Sequence, residues 1–251
     1  MPRLARRLLA EFVGTGLLVA VVIGSGIMAA RLSPGQFGLE LLENTLATVA
    51  GLAVIITVLA PVSGAHLNPV VSAADWALGR RSPAGLPGRE ALAYMGAQTA
   101  GAVGGAVLAN LMFALSAVSA SRTARSAPHL WIGEVVATAG LVLVVFALAR
   151  SGRGALAPVA VAGWIGAAYW ATSSTSFANP AVTIGRAFSD TFAGIAPGSV
   201  PGFVVAQVAG GGLGLILVLV LYPAVRPAAP AGSAADVRQT AAAGVVPPAG
   251  S

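Results

Sequence analysis

The 251-residue sequence contains no cysteine, which excludes disulfide frameworks and thiolate metal sites. It contains no lysine either, so all 14 basic residues are arginine. Charged residues of both signs together make up only 9% of the chain, against about a quarter in an ordinary soluble domain. With 57% hydrophobic residues beside so few charges, the chain cannot cover a water-facing surface, and a lipid bilayer is its expected partner. The net charge of +6 does not indicate nucleic acid, because the arginines form no dense cluster with interleaved aromatics. Paired carboxylates, histidine clusters and nucleophile motifs are also missing. An enzyme is therefore not expected, nor is a cofactor or a bound metal.

What the sequence does have is long apolar segments, near residues 8–30, 39–60, 90–117, 130–150, 156–172 and 200–222. Their lengths suit helices that cross a hydrocarbon core about 30 Å thick. The first is too long for the apolar part of a signal peptide and has no convincing cleavage site, so it counts as a span. Residues 1–7 read as a short basic N-terminal end, 8–222 as the membrane domain, and 223–251 as a disordered tail rich in Pro, Ala, Gly and Ser.

Two polar stretches interrupt this pattern. One reads SGAHLNPVVSAADWAL from Ser63, the other SSTSFANPAVTIGRAFSD from Ser173. In each, an Asn-Pro pair, Asn68-Pro69 then Asn179-Pro180, opens a short apolar piece, with Val70 or Ala181 next. Asn is a strong helix N-cap, and Pro is tolerated at the first helical position because its missing N–H has no helical partner there. A helix of roughly ten residues is about 15 Å long, half of what a membrane requires. Two such half-helices entering from opposite faces would meet at the midplane.

The halves resemble each other. Glu11 and Glu134 occupy matching places in spans one and four, the two Asn-Pro pairs follow, and Ala97-Gln98 in span three matches Ala206-Gln207 in span six. The repeats are about 8–117 and 130–222. Three spans in each make the second copy inverted, an architecture of transport proteins. With the N-terminus in the cytoplasm, Arg3, Arg6, Arg7, Arg80, Arg81, Arg89, Arg150, Arg153, Arg226 and Arg238 lie on that side. Only Arg31, Arg122, Arg125 and Arg186 face the other. Both termini are thus expected in the cytoplasm. Gly101, Gly104 and Gly105 in span three, and Gly210, Gly211, Gly212 and Gly214 in span six, are expected to let helix backbones approach closely.

On these residues, with the Ala10-Glu11-Phe12 opening and the lead-in to Asn68, the sequence resembles the aquaporin, or major intrinsic protein, family over about residues 8–222. The resemblance implies an all-α membrane protein of six transmembrane helices and two re-entrant half-helices. It implies a bacterial inner-membrane homotetramer with a pore in each subunit, passing water, glycerol-like polyols or other small neutral solutes. Glu11, Glu134 and His66 become structural supports for the two loops. A proton-coupled secondary transporter using Glu11 or Glu134 is the alternative from another class.

Family channels normally carry Arg directly after the second motif, where this chain has Val182. Counting without gaps from the two Asn residues gives a filter of Thr48, Ala167, Ser176 and Val182, wider and less polar than a water-selective one. Members lacking the filter Arg add metalloid hydroxides such as arsenite or its methylated forms to the candidate cargo. Arg186 lies one turn beyond Val182 and has two readings, reaching back to the mouth or forming a surface pair with Asp190 at i+4, the second being preferred. Without a cation in the mouth, less complete exclusion of small cations is expected too.

Overall fold

The computed structural model describes residues 3–80 and 85–223. These residues form eight α-helices and no strand: α1 Arg3–Leu32, α2 Phe37–Ser63, α3 Pro69–Gly79, α4 Gly88–Met112, α5 Pro128–Arg150, α6 Ala157–Ala171, α7 Pro180–Arg186 and α8 Val200–Leu221. Six of them are long and apolar enough to cross a membrane, α6 and α8 each with a preceding turn of 3₁₀ helix. The other two, α3 and α7, are the half-helices. The tail assigned to 223–251 lies outside the described residues beyond Pro223, as do Arg81, Arg226 and Arg238.

Local chemistry sets most of the boundaries. Gly64 ends α2 in the left-handed region at φ 91°, its N–H bonded to the carbonyl of Ala60 at 3.0 Å. Proline opens α5, α3 and α7 at their first positions. Four boundaries differ from the sequence expectation. Arg3–Arg7 are already helical, so α1 begins before residue 8. Pro61 does not stop α2, because in the last turn its ring removes only one ladder bond. Span three stops at Met112 rather than 117, where Asn110 turns its amide to the carbonyls of Ala117 and Phe188. Half-helix α7 has seven residues rather than ten.

The inverted repeat governs packing. Helix α1 lies against α4 as α5 lies against α8, and each half-helix packs on the last helix of the other half, α3 on α8 and α7 on α4. A Cβ on Gly101 or Gly105 would come within 2.1 Å of the Phe12 or Gly16 carbonyl oxygen. In the second half, a Cβ on Gly210 or Gly214 would come within 2.5 Å of the Val135 or Ala139 carbonyl oxygen. Backbones in contact at this range gain dispersion that lipid tails cannot replace. Gly104 and Gly212 take no part in these approaches. Gly211 does something else: the Val70 side chain fills the space where a Cβ would stand, which accommodates Val in place of Ala in the first motif.

Candidate solute pore

Asn68 and Asn179 sit at the tips of α3 and α7, both with extended backbone, and each caps its own helix. Asn68 Oδ1 accepts from Val70 N at 2.9 Å, and Asn179 Oδ1 accepts from Ala181 N and Val182 N at 3.0 and 3.2 Å. The amide nitrogens reach across the midplane. Asn68 Nδ2 donates to the carbonyl of Ala178 at 2.8 Å, and Asn179 Nδ2 to that of Leu67 at 2.7 Å. Each NH₂ keeps a second proton, and both side chains line a cavity of about 110 Å³.

The loops entering the half-helices have no ladder of their own, so their backbone groups need partners inside the membrane. Two buried glutamates provide them. Glu11 accepts from Ser63 Oγ (2.6 Å), His66 N (3.0 Å), Leu67 N (2.7 Å) and Gln98 Nε2 (2.8 Å). Glu134 accepts from Phe177 N and Ala178 N, both at 2.8 Å, and from Gln207 Nε2 at 2.6 Å. Each glutamine then ties the half-helix itself, Gln98 to Ser72 Oγ at 3.0 Å and Gln207 to Thr183 Oγ1 at 2.8 Å. His66 joins this scaffold through Nδ1 to Ser72 Oγ at 3.1 Å while also lining the cavity.

Both loops share a backbone pattern that residue types do not announce. One and three positions before each Asn, at Leu67 and Ala65 and at Ala178 and Ser176, φ is positive, between 47° and 52°. A non-glycine residue there costs about 1–2 kcal/mol, so the carboxylate bonds and the cross-bridges are what hold the shape.

Spanning helices present stripes four residues apart to the cavity: Leu18 and Val22, Thr48, Leu52 and Ile56, Leu141 and Val145, Val161, Ile165 and Tyr169. The stripes are apolar except at one end. There Thr48 and Tyr169 bring their hydroxyls to 3.4 Å from each other, beside Ser176, Val182 and Arg186. This polar mouth holds three of the four filter residues counted from the motifs. Ala167 is the exception: it is exposed on the outer surface of α6, about 200° around the helix from Tyr169. The gap-free count presumed a lead-in of fixed length, whereas the loop 172–178, with its turn and left-handed residues, brings Tyr169, two residues nearer the motif, to the lumen. Tyr169 was legible as the one tyrosine of span five.

Of the two readings of Arg186, the structure favours the mouth over the pair with Asp190. Asp190 pairs instead with Arg122, accepting from its Nε at 2.7 Å and its backbone N–H at 3.0 Å. Arg186 is only 3% exposed, donates from Nε to the carbonyl of Ala193, and stacks with its guanidinium carbon 3.4 Å from the ring centroid of Phe177. The mouth therefore does contain a cation, one turn beyond Val182. That removes the ground for expecting weak cation exclusion.

The family model for major intrinsic proteins matches residues 1–178. The aquaglyceroporin AqpS of Rhizobium meliloti is 48% identical over 224 residues, 89% of this chain and 93% of that one. The chain belongs to the major intrinsic protein family. Further relatives include a glycerol uptake facilitator protein of Pseudomonas aeruginosa, 35% identical over 188 residues and covering 64% of each chain. The X-ray structure of the aquaglyceroporin from Plasmodium falciparum shares the fold, with a TM-score of 0.60 at 22% identity over 86% of this chain and 95% of that one. Major intrinsic proteins are membrane channels rather than enzymes, and this multi-pass member has the same helical architecture.

Proposed function

We propose that the chain is a passive channel for small neutral solutes that combine a carbon skeleton with hydroxyl groups, glycerol-like polyols first, together with water. The observation that carries this reading is the split character of the lumen: apolar stripes along its length, with polar side chains gathered at the two asparagines, at His66 in the loop before Asn68, and in the cluster at one mouth. An ion would lose its hydration along the apolar stretch without repayment, while a polyol lays its CH groups there and its hydroxyls on the donors. Val182 supports passage of solutes larger than water, because a long side chain at that place would reach into the mouth. The relatives named as an aquaglyceroporin and a glycerol facilitator support the same class. Metalloid hydroxides, arsenite and its methylated forms, are neutral hydroxylated solutes of comparable size and belong to the proposed cargo.

The transporter alternative loses its proton carriers. Glu11 and Glu134 are fully buried, do not line the cavity, and spend their oxygens on loop N–H groups and glutamine amides. For localisation we propose the bacterial inner membrane with both termini in the cytoplasm. The arginine bias supports it and strengthens once Arg186 is seen to be a lumen residue rather than a loop charge. The polar mouth then faces outward. A homotetramer with one pore per subunit is the assembly implied by the family, and native mass spectrometry of the detergent-solubilised chain reads it directly.

Stopped-flow light scattering of proteoliposomes under glycerol, arsenite and osmotic gradients tests the function. Non-saturating equilibration of glycerol well above protein-free vesicles is expected. Accumulation against a gradient driven by protons would overturn the channel reading, and no flux of any solute would overturn both readings.

A further inference from the structure

Two guanidiniums meet at the ring of Phe177, which lines the cavity: Arg186 is itself a lining residue of the polar mouth, Arg125 is not, and neither has a carboxylate partner among the described residues. Arg125, on the loop between α4 and α5, lies with its guanidinium carbon 5.2 Å from the ring centroid of Phe177, the same ring on which Arg186 stacks at 3.4 Å. Their Nε atoms are anchored on consecutive carbonyls, Arg186 on Ala193 and Arg125 on Gly194 at 3.0 Å. The terminal nitrogens of both make no hydrogen bond to any described residue. Of the acids on neighbouring segments, Asp190 is occupied by Arg122, and Glu134 by two backbone N–H groups and Gln207.

Two neighbouring cations without a counter-charge, one of them buried, form an unfavourable arrangement by themselves. The groups beside them in the lumen are hydroxyls. Ser176 Oγ is buried, lines the cavity and has no hydrogen-bond partner. Tyr169 and Thr48 share only a long contact of 3.4 Å, which an incoming oxygen can replace. The set is rich in donors and has no anionic acceptor, a composition that suits a negatively charged oxygen better than a cation.

We propose that the polar mouth is a binding site for a small oxyanion, a carboxylate being the simplest, formed by the guanidinium of Arg186 and the hydroxyl of Ser176 that line it, with the guanidinium of Arg125 reaching the anion from beside Phe177. A planar carboxylate matches the fork of a guanidinium, and an anion lodged there stands where a neutral solute must enter. It does not pass further, because the stripes beyond Thr48 are apolar. The site therefore makes entry of neutral solutes sensitive to small carboxylates on the side of this mouth. The binding claim does not depend on which neutral solute the pore carries.

Formate is the probe, compared with chloride at equal ionic strength on the full-length chain. In detergent, formate is expected to raise the thermal unfolding midpoint read by tryptophan fluorescence more than chloride does, since a ligand of the folded state stabilises it. In proteoliposomes it is expected to slow glycerol equilibration. Arg186→Gln removes both effects, and Arg125→Gln raises the formate concentration for half-effect by roughly tenfold, the weight of one charge-assisted hydrogen bond. Arg186→Lys, which keeps the charge, retains part of the thermal effect. Identical midpoints in formate and chloride for the wild type would overturn the proposal, as would a formate effect persisting in Arg186→Gln. Where Arg186→Gln does not fold, Arg125→Gln alone decides, and an unshifted half-effect there overturns the site. A formate-dependent midpoint without glycerol flux would leave the site standing and overturn the polyol channel instead.

Discussion

Asn68 donates its amide nitrogen to the carbonyl of Ala178 at 2.8 Å, crossing from one half of the inverted repeat to the other. Asn179 returns the bond to Leu67 at 2.7 Å. Each asparagine thus performs three tasks, as cap, as cross-bridge and as lumen donor. Replacing either by Ala removes a cap worth about 0.5–2 kcal/mol and also orphans a carbonyl in the opposite loop. Folded yield and glycerol flux per folded channel are both expected to fall, as measured by size-exclusion chromatography and stopped-flow scattering. Unchanged flux per channel in the double variant would reduce the pair to scaffolding.

Val182→Arg places a second guanidinium in a mouth that already holds Arg186. Glycerol flux is expected to fall by roughly tenfold more than water flux, because the added side chain narrows the entrance and binds water. Paired flux measurements at matched protein content check this. Equal losses of water and glycerol would mean blockage or misfolding rather than selection.

Glu11→Gln and Glu134→Gln keep the shape of the side chain but turn one acceptor oxygen into a donor facing N–H groups that need an acceptor. Each is expected to destabilise the channel by roughly 2–4 kcal/mol. Thermal unfolding in detergent measures it. Flux by the surviving folded fraction should keep its dependence on proton gradient at zero, and a gradient dependence abolished by either variant would revive the transporter reading.

Gly105→Ala brings a Cβ within 2.1 Å of the Gly16 carbonyl oxygen, a contact that backbone cannot relieve without moving α1 away from α4. A loss of about 1–3 kcal/mol is expected, with a matching drop in folded yield. Gly212→Ala meets nothing within 4 Å and serves as the control.

Asp190→Asn separates the two roles that sequence spacing assigned to one pair. The carboxyl is held below its ordinary value by the Arg122 backbone N–H, and then by its side chain. The clasp between these loops is therefore in place throughout the neutral range and is lost only as pH falls through the lowered pKa. Because Arg186 does not touch Asp190, the variant is expected to leave glycerol flux near wild type. A strong change in flux would place Arg186 back on Asp190.

Elements whose cause is local were legible in the sequence. The Asn-Pro capping pairs name the starts of α3 and α7, the apolar lengths name the spans, and the paired Glu and Gln name the repeat. What escaped depends on partners far along the chain. Arg186 and Asp190 stand at ideal helical spacing, yet Arg122, from another loop, takes the acid, and Phe177 takes the guanidinium. The count falls on Ala167 rather than Tyr169 because an irregular lead-in with left-handed residues has no fixed rise to count along. The left-handed residues Ala65, Leu67, Ser176 and Ala178 are ordinary L-amino acids that carry no glycine to mark the conformation.

Each half-helix packs on both repeats, which bears on biosynthesis. Helix α3 completes its packing on α8, which leaves the ribosome roughly 120 residues later, a delay of about 6–24 s at about 5–20 residues per second. Until the second loop is made, the side-chain amide of Asn68 and the carbonyl of Leu67 lack the partners that loop supplies. Glu11, already made in α1, and Gln98, next in α4, belong to the same half and can hold the first loop meanwhile. The first half of the channel thus carries its own internal chaperone, which holds the loop until Ala178 and Asn179, the residues that close the midplane, have been made.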